Sequence, residues 1–292
     1  MPRTARGVRN DPAARIAELA RQRPEWQAWF SLLDEVEMML TDPAWQAPVD
    51  RSEADPSPDP VTGAPLLNRQ TLRVDAEAAQ RLVRRLASLA AEGDLDGAAA
   101  LSRYRPPAAD AAALIRAAVC QDSARLAALA DAAGLERGPL ASVAHLAALP
   151  LLRSCGRLLA DGIPVHWPHG YCPICAAWPI LAERRGLDRS RRLRCARCAA
   201  EWEAQPLLCV YCGERSHDRL GSLVPDGQGE VLKVETCGSC HGYLKSVATL
   251  QAIPPSDLLL RDIETVELDL VALDRGYTRP EQSGFPLEVR IG

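Results

Sequence analysis

Four C-x-x-C pairs within about seventy residues constrain this chain more than anything else in it: Cys172/Cys175, Cys195/Cys198, Cys209/Cys212 and Cys237/Cys240. They hold eight of its ten cysteines and fall as C-x2-C-x19-C-x2-C, then C-x2-C-x24-C-x2-C. Two residues between cysteines let a tight turn aim both sulfurs at one point, about 2.3 Å from a metal, with backbone N–H groups turned towards them. Two such elbows give a tetrahedral shell of four sulfurs, and soft thiolates in that geometry suit zinc or a single iron. One pair alone would equally fit a thioredoxin-like redox motif. Four at these spacings point to two four-cysteine metal sites.

Sequential pairing, first elbow with second and third with fourth, closes two short hairpin-like units. An interleaved cross-brace stays open, because loop-closure entropy rises slowly with length. The competing reading of disulfides or scattered buried thiols depends on the redox compartment. The N-terminal MPRTARGVRN is basic but leads into no apolar stretch of the signal-peptide kind. No apolar run approaches the roughly 18 residues of a membrane span. A soluble cytoplasmic protein is therefore expected, where paired cysteines serve as ligands or redox groups.

The rest of the chain reads mostly helical, with alanine, leucine and arginine abundant and aromatics at 4%. Helices are expected over 12–21, 24–40, from Asp75 to Gly93, over 107–120, over 122–133 and over 138–161, the last kinked by Pro150. Residues 42–73, rich in Pro, Asp and Ser, read as a long surface loop, partly disordered. From His166 the texture changes to short β-prone stretches at 192–194, 201–210, 231–235 and 242–247. A last helix over 263–273 and a loose tail follow. The expected fold class is α+β multidomain: an N-terminal α-helical domain (1–165, with loop 42–73), two small metal modules (166–206 and 207–250), and a C-terminal helix and tail (251–292).

Around the elbows, Arg191, Arg192, Arg194 and Arg197, with Lys233 and Lys245, read either as donors offsetting thiolate charge or as solvated surface cations. Cys120 and Cys155 fall on apolar helix faces and read as core. His166, His169 and His241 lie near elbows as substitute ligands, against eight cysteines already available. Trp178, Trp202, Tyr211 and Tyr243 are expected in small cores beside the sites, or else exposed to a partner. No nucleophile triad, phosphate loop or paired-carboxylate signature stands out, so no catalytic residue is assigned. Residues 166–250 carry 11 basic and 9 acidic side chains, and the whole chain −4. That balance disfavours a zinc-ribbon nucleic-acid module.

YCPIC, RRLRCARCAAEWEAQPLLCVYC and VLKVETCGSCHGYLK together resemble the FdhE family of formate dehydrogenase accessory proteins. The likeness runs over roughly 170–250 and more weakly through DIETVELDLVALDRGYTR at 262–279; upstream only ARIAELARQRP is similar. The resemblance implies a helical domain followed by two rubredoxin-like modules whose metal ligands are the eight paired cysteines, with iron as the family's described metal. It also implies a cytoplasmic maturation factor, not an enzyme, whose partner is the catalytic subunit of an exported molybdenum- or tungsten-containing formate dehydrogenase. Alternatives are a rubredoxin-like electron-transfer protein and a zinc-ribbon nucleic-acid binder. One departure stands out. Rubredoxin elbows usually carry glycine after the second cysteine, but here that position is Ala176, Ala199, Gly213 and His241. Holding a non-glycine residue at positive φ costs on the order of 1 kcal/mol.

Overall fold

A computed structural model describes residues 12–46, 48–49, 59–225 and 231–292. The N-terminal decapeptide and part of the expected surface loop, residue 47 and 50–58, lie outside the described residues. The chain divides into two compact units: Met1–Asp55, Arg69–Cys155 and Glu288–Gly292 form the first; Pro56–Asn68 and Gly156–Leu287 form the second.

The first unit is helical: α1 (Pro12–Gln22), α2 (Gln27–Met39), β1 (Thr71–Leu72), α3 (Ala76–Glu92), α4 (Ala108–Cys120), α5 (Ser123–Ala133), α6 (Arg137–Ala147) and most of α7 (Leu149–Leu159). Asp75 starts α3 because its carboxylate accepts the orphan N–H groups of Glu77 and Ala78 at 2.9 and 3.0 Å. The 3.6-residue stripe Leu82, Val83, Leu86 and Ala90 is buried, as its spacing requires. Gly93 lies so close to α2 that a Cβ there would stand 2.4 Å from the Ala28 methyl. Cys155 is fully buried on α7 and Cys120 is half-buried at the end of α4.

Pro150 follows the break at Ala148 that separates α6 from α7. The helical stretch Arg137–Gly162 is, by length and composition, apolar enough to cross a membrane, contrary to the sequence expectation. Yet 78% of its most apolar window is buried within the protein, so core packing accounts for its hydropathy. The tail is not loose. Its last residues form β8 (Arg290–Ile291), parallel to β1, with Arg290 N–H donating to Gln70 O at 3.0 Å. Arg116 on α4 donates to Val289 O at 3.2 Å.

The second unit is built on one six-stranded sheet in the order β4-β3-β2-β7-β6-β5. Its strands are β2 (Leu181–Arg185), β3 (Ser190–Arg194), β4 (Glu201–Glu203), β5 (Leu220–Leu223), β6 (Leu232–Cys237) and β7 (Tyr243–Thr249). β2-β3-β4 and β5-β6-β7 are antiparallel meanders, joined by the parallel pairing of β2 with β7. Each meander follows the same plan: an elbow, two strands, a second elbow, a third strand. Only 201–203 of the expected 201–210 strand forms, and β2 and β5 were not expected.

The expected helix over 263–273 is two: α8 (Asp257–Glu264) and α9 (Val266–Asp274). The break falls at Thr265, whose hydroxyl donates back to the Arg261 carbonyl at 2.8 Å, and such back-bonding bends helices. Nor is all of the 42–73 segment surface loop. Leu66 and Leu67 are buried and donate N–H groups to Pro173 O and Ile174 O at 2.8 and 3.0 Å, beside the first elbow.

Candidate metal centres

Every elbow repeats one backbone pattern. The first cysteine's N–H reaches the carbonyl two residues beyond the second cysteine: Cys172 to Ala177, Cys195 to Ala200, Cys209 to Glu214 and Cys237 to Gly242, at 2.8–3.0 Å. In the first three the residue after the second cysteine donates back to the first cysteine's carbonyl, at 3.0–3.1 Å. Closing that ring demands a left-handed residue, and Ala176, Ala199, Gly213 and His241 have φ of 62°, 64°, 78° and 55°. The strain foreseen from the missing glycines is therefore present at three elbows. Gly213 offers a clean test, because a Cβ there would meet nothing within 4 Å. Gly213→Ala should weaken metal retention at its centre by about 1 kcal/mol, roughly fivefold in a chelator competition.

The eight cysteines form two groups, Cys172/Cys175/Cys195/Cys198 and Cys209/Cys212/Cys237/Cys240, each with its sulfurs within 4.8 Å of one another. This is the sequential pairing. Sulfur separations are 3.4 Å (Cys172–Cys198), 3.5 Å (Cys175–Cys195), 3.6 Å (Cys209–Cys240) and 3.7 Å (Cys212–Cys237). A disulfide needs about 2.05 Å. A tetrahedron with 2.3 Å metal–sulfur bonds has edges of about 3.8 Å. The donor set and its spacing thus fit one four-sulfur metal ion per group. Among the described residues no histidine joins either group. His169 instead stacks on Tyr171, its Nε2 3.1 Å from Pro60 O.

The centres differ in exposure. All four cysteines of the first are buried, whereas Cys212 and Cys240 of the second are exposed. In the first, burial pushes the thiols of Cys172 and Cys198 well up. For Cys195 burial also opposes ionisation, but hydrogen bonds from the other three thiols prevail and its pKa falls well below the usual value. In the second, burial raises Cys209 and takes Cys240 up to about 11. Cys237 is lowered: burial opposes, and the N–H groups of Cys240 and Ser239 outweigh it. Four thiolates in such surroundings are tenable only around a cation, so metal uptake must release protons.

Five of the six cations near the elbows pair with carboxylates. Arg194 pairs with the fully buried Glu183 on β2, and Arg191 with Glu235 at 2.6 Å. Arg192 faces Glu203 at 3.5 Å and Lys233 faces Glu235 at 3.8 Å. Lys245, 1% exposed, meets Asp262 at 2.5 Å and Asp269 at 2.6 Å. Except for Lys233, whose partner is two residues away, carboxylates 11 or more residues distant take up these charges. Arg279 completes the second network, donating to Asp269 at 2.8 Å and lying 5.2 Å above the Tyr243 ring. It ties the segment after α9 to β7 beside the second centre.

Of the four aromatic residues, Tyr211 lies inside the third elbow and meets Trp178 at 5.1 Å between ring centroids. Trp202 and Tyr243 are buried; Trp178 and Tyr211 are half-buried. Tyr211 donates to the Tyr243 carbonyl at 2.8 Å, and burial raises the Tyr211 pKa. Sequence reasoning missed Glu183, Asp262, Asp269 and Arg279. The family-like stretch DIETVELDLVALDRGYTR at 262–279 contains the last three and was the one signal for them.

Comparison with known proteins agrees with this geometry. Residues 207–285 match the family described as FdhE, C-terminal domain. Proteins named FdhE homolog are 38% identical in Stutzerimonas stutzeri over 37% of this chain, 28% in Aquifex aeolicus over 40%, and 36% in Pseudomonas aeruginosa over 37%. Those matches span 35%, 42% and 37% of the relatives' own lengths. The crystal structure of the FdhE protein from Pseudomonas aeruginosa shares the fold over 97% of this chain and 96% of that one, with a TM-score of 0.56 and 23% identity. Residues 207–285 thus carry an FdhE C-terminal domain, and the chain as a whole shares the fold of the FdhE crystal structure.

Proposed function

We propose that this chain is a cytoplasmic accessory protein that binds the catalytic subunit of a formate dehydrogenase and assists its assembly before export, acting by binding rather than by catalysis. The observation that carries the reading is the pair of tetracysteine centres set in tandem in one sheet within an FdhE-type fold. In this reading Cys172, Cys175, Cys195 and Cys198 hold one ion, and Cys209, Cys212, Cys237 and Cys240 the other. The ions supply the cross-links around which the elbows close. Arginines already bound to carboxylates are poor phosphate ligands, which further disfavours nucleic acid as the partner.

Co-purification tests the proposal. The native chain, tagged and expressed beside a formate dehydrogenase catalytic subunit, should retain that subunit, and Cys212→Ser/Cys240→Ser should retain much less. Equal retention by the variant, or none by the native chain, would refute it. Metal analysis with a visible spectrum separates iron, coloured and redox-active as in the electron-transfer alternative, from colourless zinc.

A further inference from the structure

The segment from Thr278 to Gly284 bonds to an elbow of each centre. Thr278 donates its N–H to the His241 carbonyl at 2.8 Å and accepts from Tyr243 N–H at 3.3 Å. Six residues on, Gly284 donates to the Ala176 carbonyl at 3.2 Å, and Gln282 O accepts from Trp178 Nε1 at 2.8 Å. Ala176 closes the ring of the first elbow, and His241 holds the same left-handed position in the fourth. The segment therefore bonds, at each centre, to the left-handed residue that follows an elbow's second cysteine.

Close packing fixes it there. A Cβ on Gly284 would lie 2.4 Å from Cγ of Tyr171, next to Cys172. Tyr171 meets Trp178 at 5.9 Å between ring centroids, and Trp178 meets Tyr211, inside the third elbow, at 5.1 Å. The backbones approach as well, since a Cβ on Gly170 would stand 1.8 Å from the Val210 carbonyl oxygen.

We infer that Thr278–Gly284 couples the two centres, so that loading either one raises the metal affinity of the other. When one elbow closes on a metal, its left-handed carbonyl is fixed and holds its end of the segment. The other end then presents its N–H to the second carbonyl, and less conformational entropy is lost in closing that elbow. Couplings of this kind run from about fivefold to 150-fold. The inference rests on metal loading of both centres and on nothing about a client.

The test adds Co²⁺ to the full-length reduced protein and counts bound ions by native mass spectrometry, with charge-transfer absorption reporting thiolate ligation. At one equivalent, tenfold coupling between otherwise equal sites leaves about a quarter of chains singly loaded, against about half without coupling. Gly284→Ala, which forces the segment off Tyr171, should raise the singly loaded fraction. Trp178→Phe, which keeps a ring but loses the bond to Gln282, should raise it less and serves if the first variant folds poorly. In the parent, Cys212→Ser/Cys240→Ser should weaken Co²⁺ binding at the first centre on the order of tenfold; in Gly284→Ala the same change should leave it nearly unaltered. Equal affinity of the first centre with and without the second overturns the inference, as does coupling that survives in both segment variants. Absence of any Co²⁺ binding would instead overturn the metal reading beneath it.

Discussion

Stripping metal from the reduced protein with a strong chelator should unfold the second unit and leave the helices of the first unit in place. Two apolar clusters described in the second unit are small. One gathers Val234, Tyr243, Leu268 and Ala272, and another Leu181, Ile253 and Leu258. Strands of three to seven residues add little more. A structural tetrathiolate zinc has an apparent binding energy of about 10–16 kcal/mol. Whole domains have net stabilities of about 5–15 kcal/mol. Losing both ions removes more than such a unit holds. The first unit contains no elbow, and its core runs through α3, α4 and α6 with Leu86, Leu114, Ile115 and Leu140 fully buried. Hydrogen exchange should therefore show protection lost across β2, β3, β6 and β7 but kept in α3 and α4, reversibly on adding metal. Persistent protection of β2 and β7 after verified metal loss would disprove this.

How much of this could be read from the sequence follows from how local each interaction is. The elbows are legible because two intervening residues fix the turn, and even the strain at Ala176, Ala199 and His241 follows from the missing glycines. The α3 cap and stripe are equally local. β2 is not, because LAERR carries no strand pattern; it is held extended by β3 on one side and β7 on the other, contacts that override propensity. β5, reading LGSL, is equally illegible: it lies at the sheet edge and is held extended by β6. The arginines were misread because their partners Glu183 and Glu235 lie 11 and 44 residues away. Leu66 and Leu67 were hidden in a polar, proline-rich stretch whose composition says loop, although two apolar side chains suffice to anchor it.

Replacing Glu183 should give the largest loss of stability of any single substitution outside the cysteines. Its side chain is fully buried on β2, and both carboxylate oxygens are hydrogen-bonded. One carboxylate oxygen accepts from Arg194 and, at 3.1 Å, from Ile253 N–H. The other accepts from Nε and Nη2 of Arg185 at 3.0 and 2.7 Å. Glu183→Ala leaves the 3%-exposed Arg194 side chain with Glu201 at 3.9 Å as its nearest carboxylate, and breaking a buried pair in this way costs about 3–5 kcal/mol. Arg194 immediately precedes Cys195, so the loss should reach the metal: retention at the first centre should fall well before retention at the second. Removing the second partner as well, in Glu183→Ala/Arg194→Leu, should recover part of the stability, because the uncompensated charge has gone. The comparison is made by denaturant unfolding of the loaded protein and by chelator competition. A Glu183→Ala chain within about 1 kcal/mol of the parent, the spread of ordinary substitutions, would mean that the buried pair does not hold β2 to β3. If the double variant proved less stable than the single one, the stranded cation would not be the source of the loss.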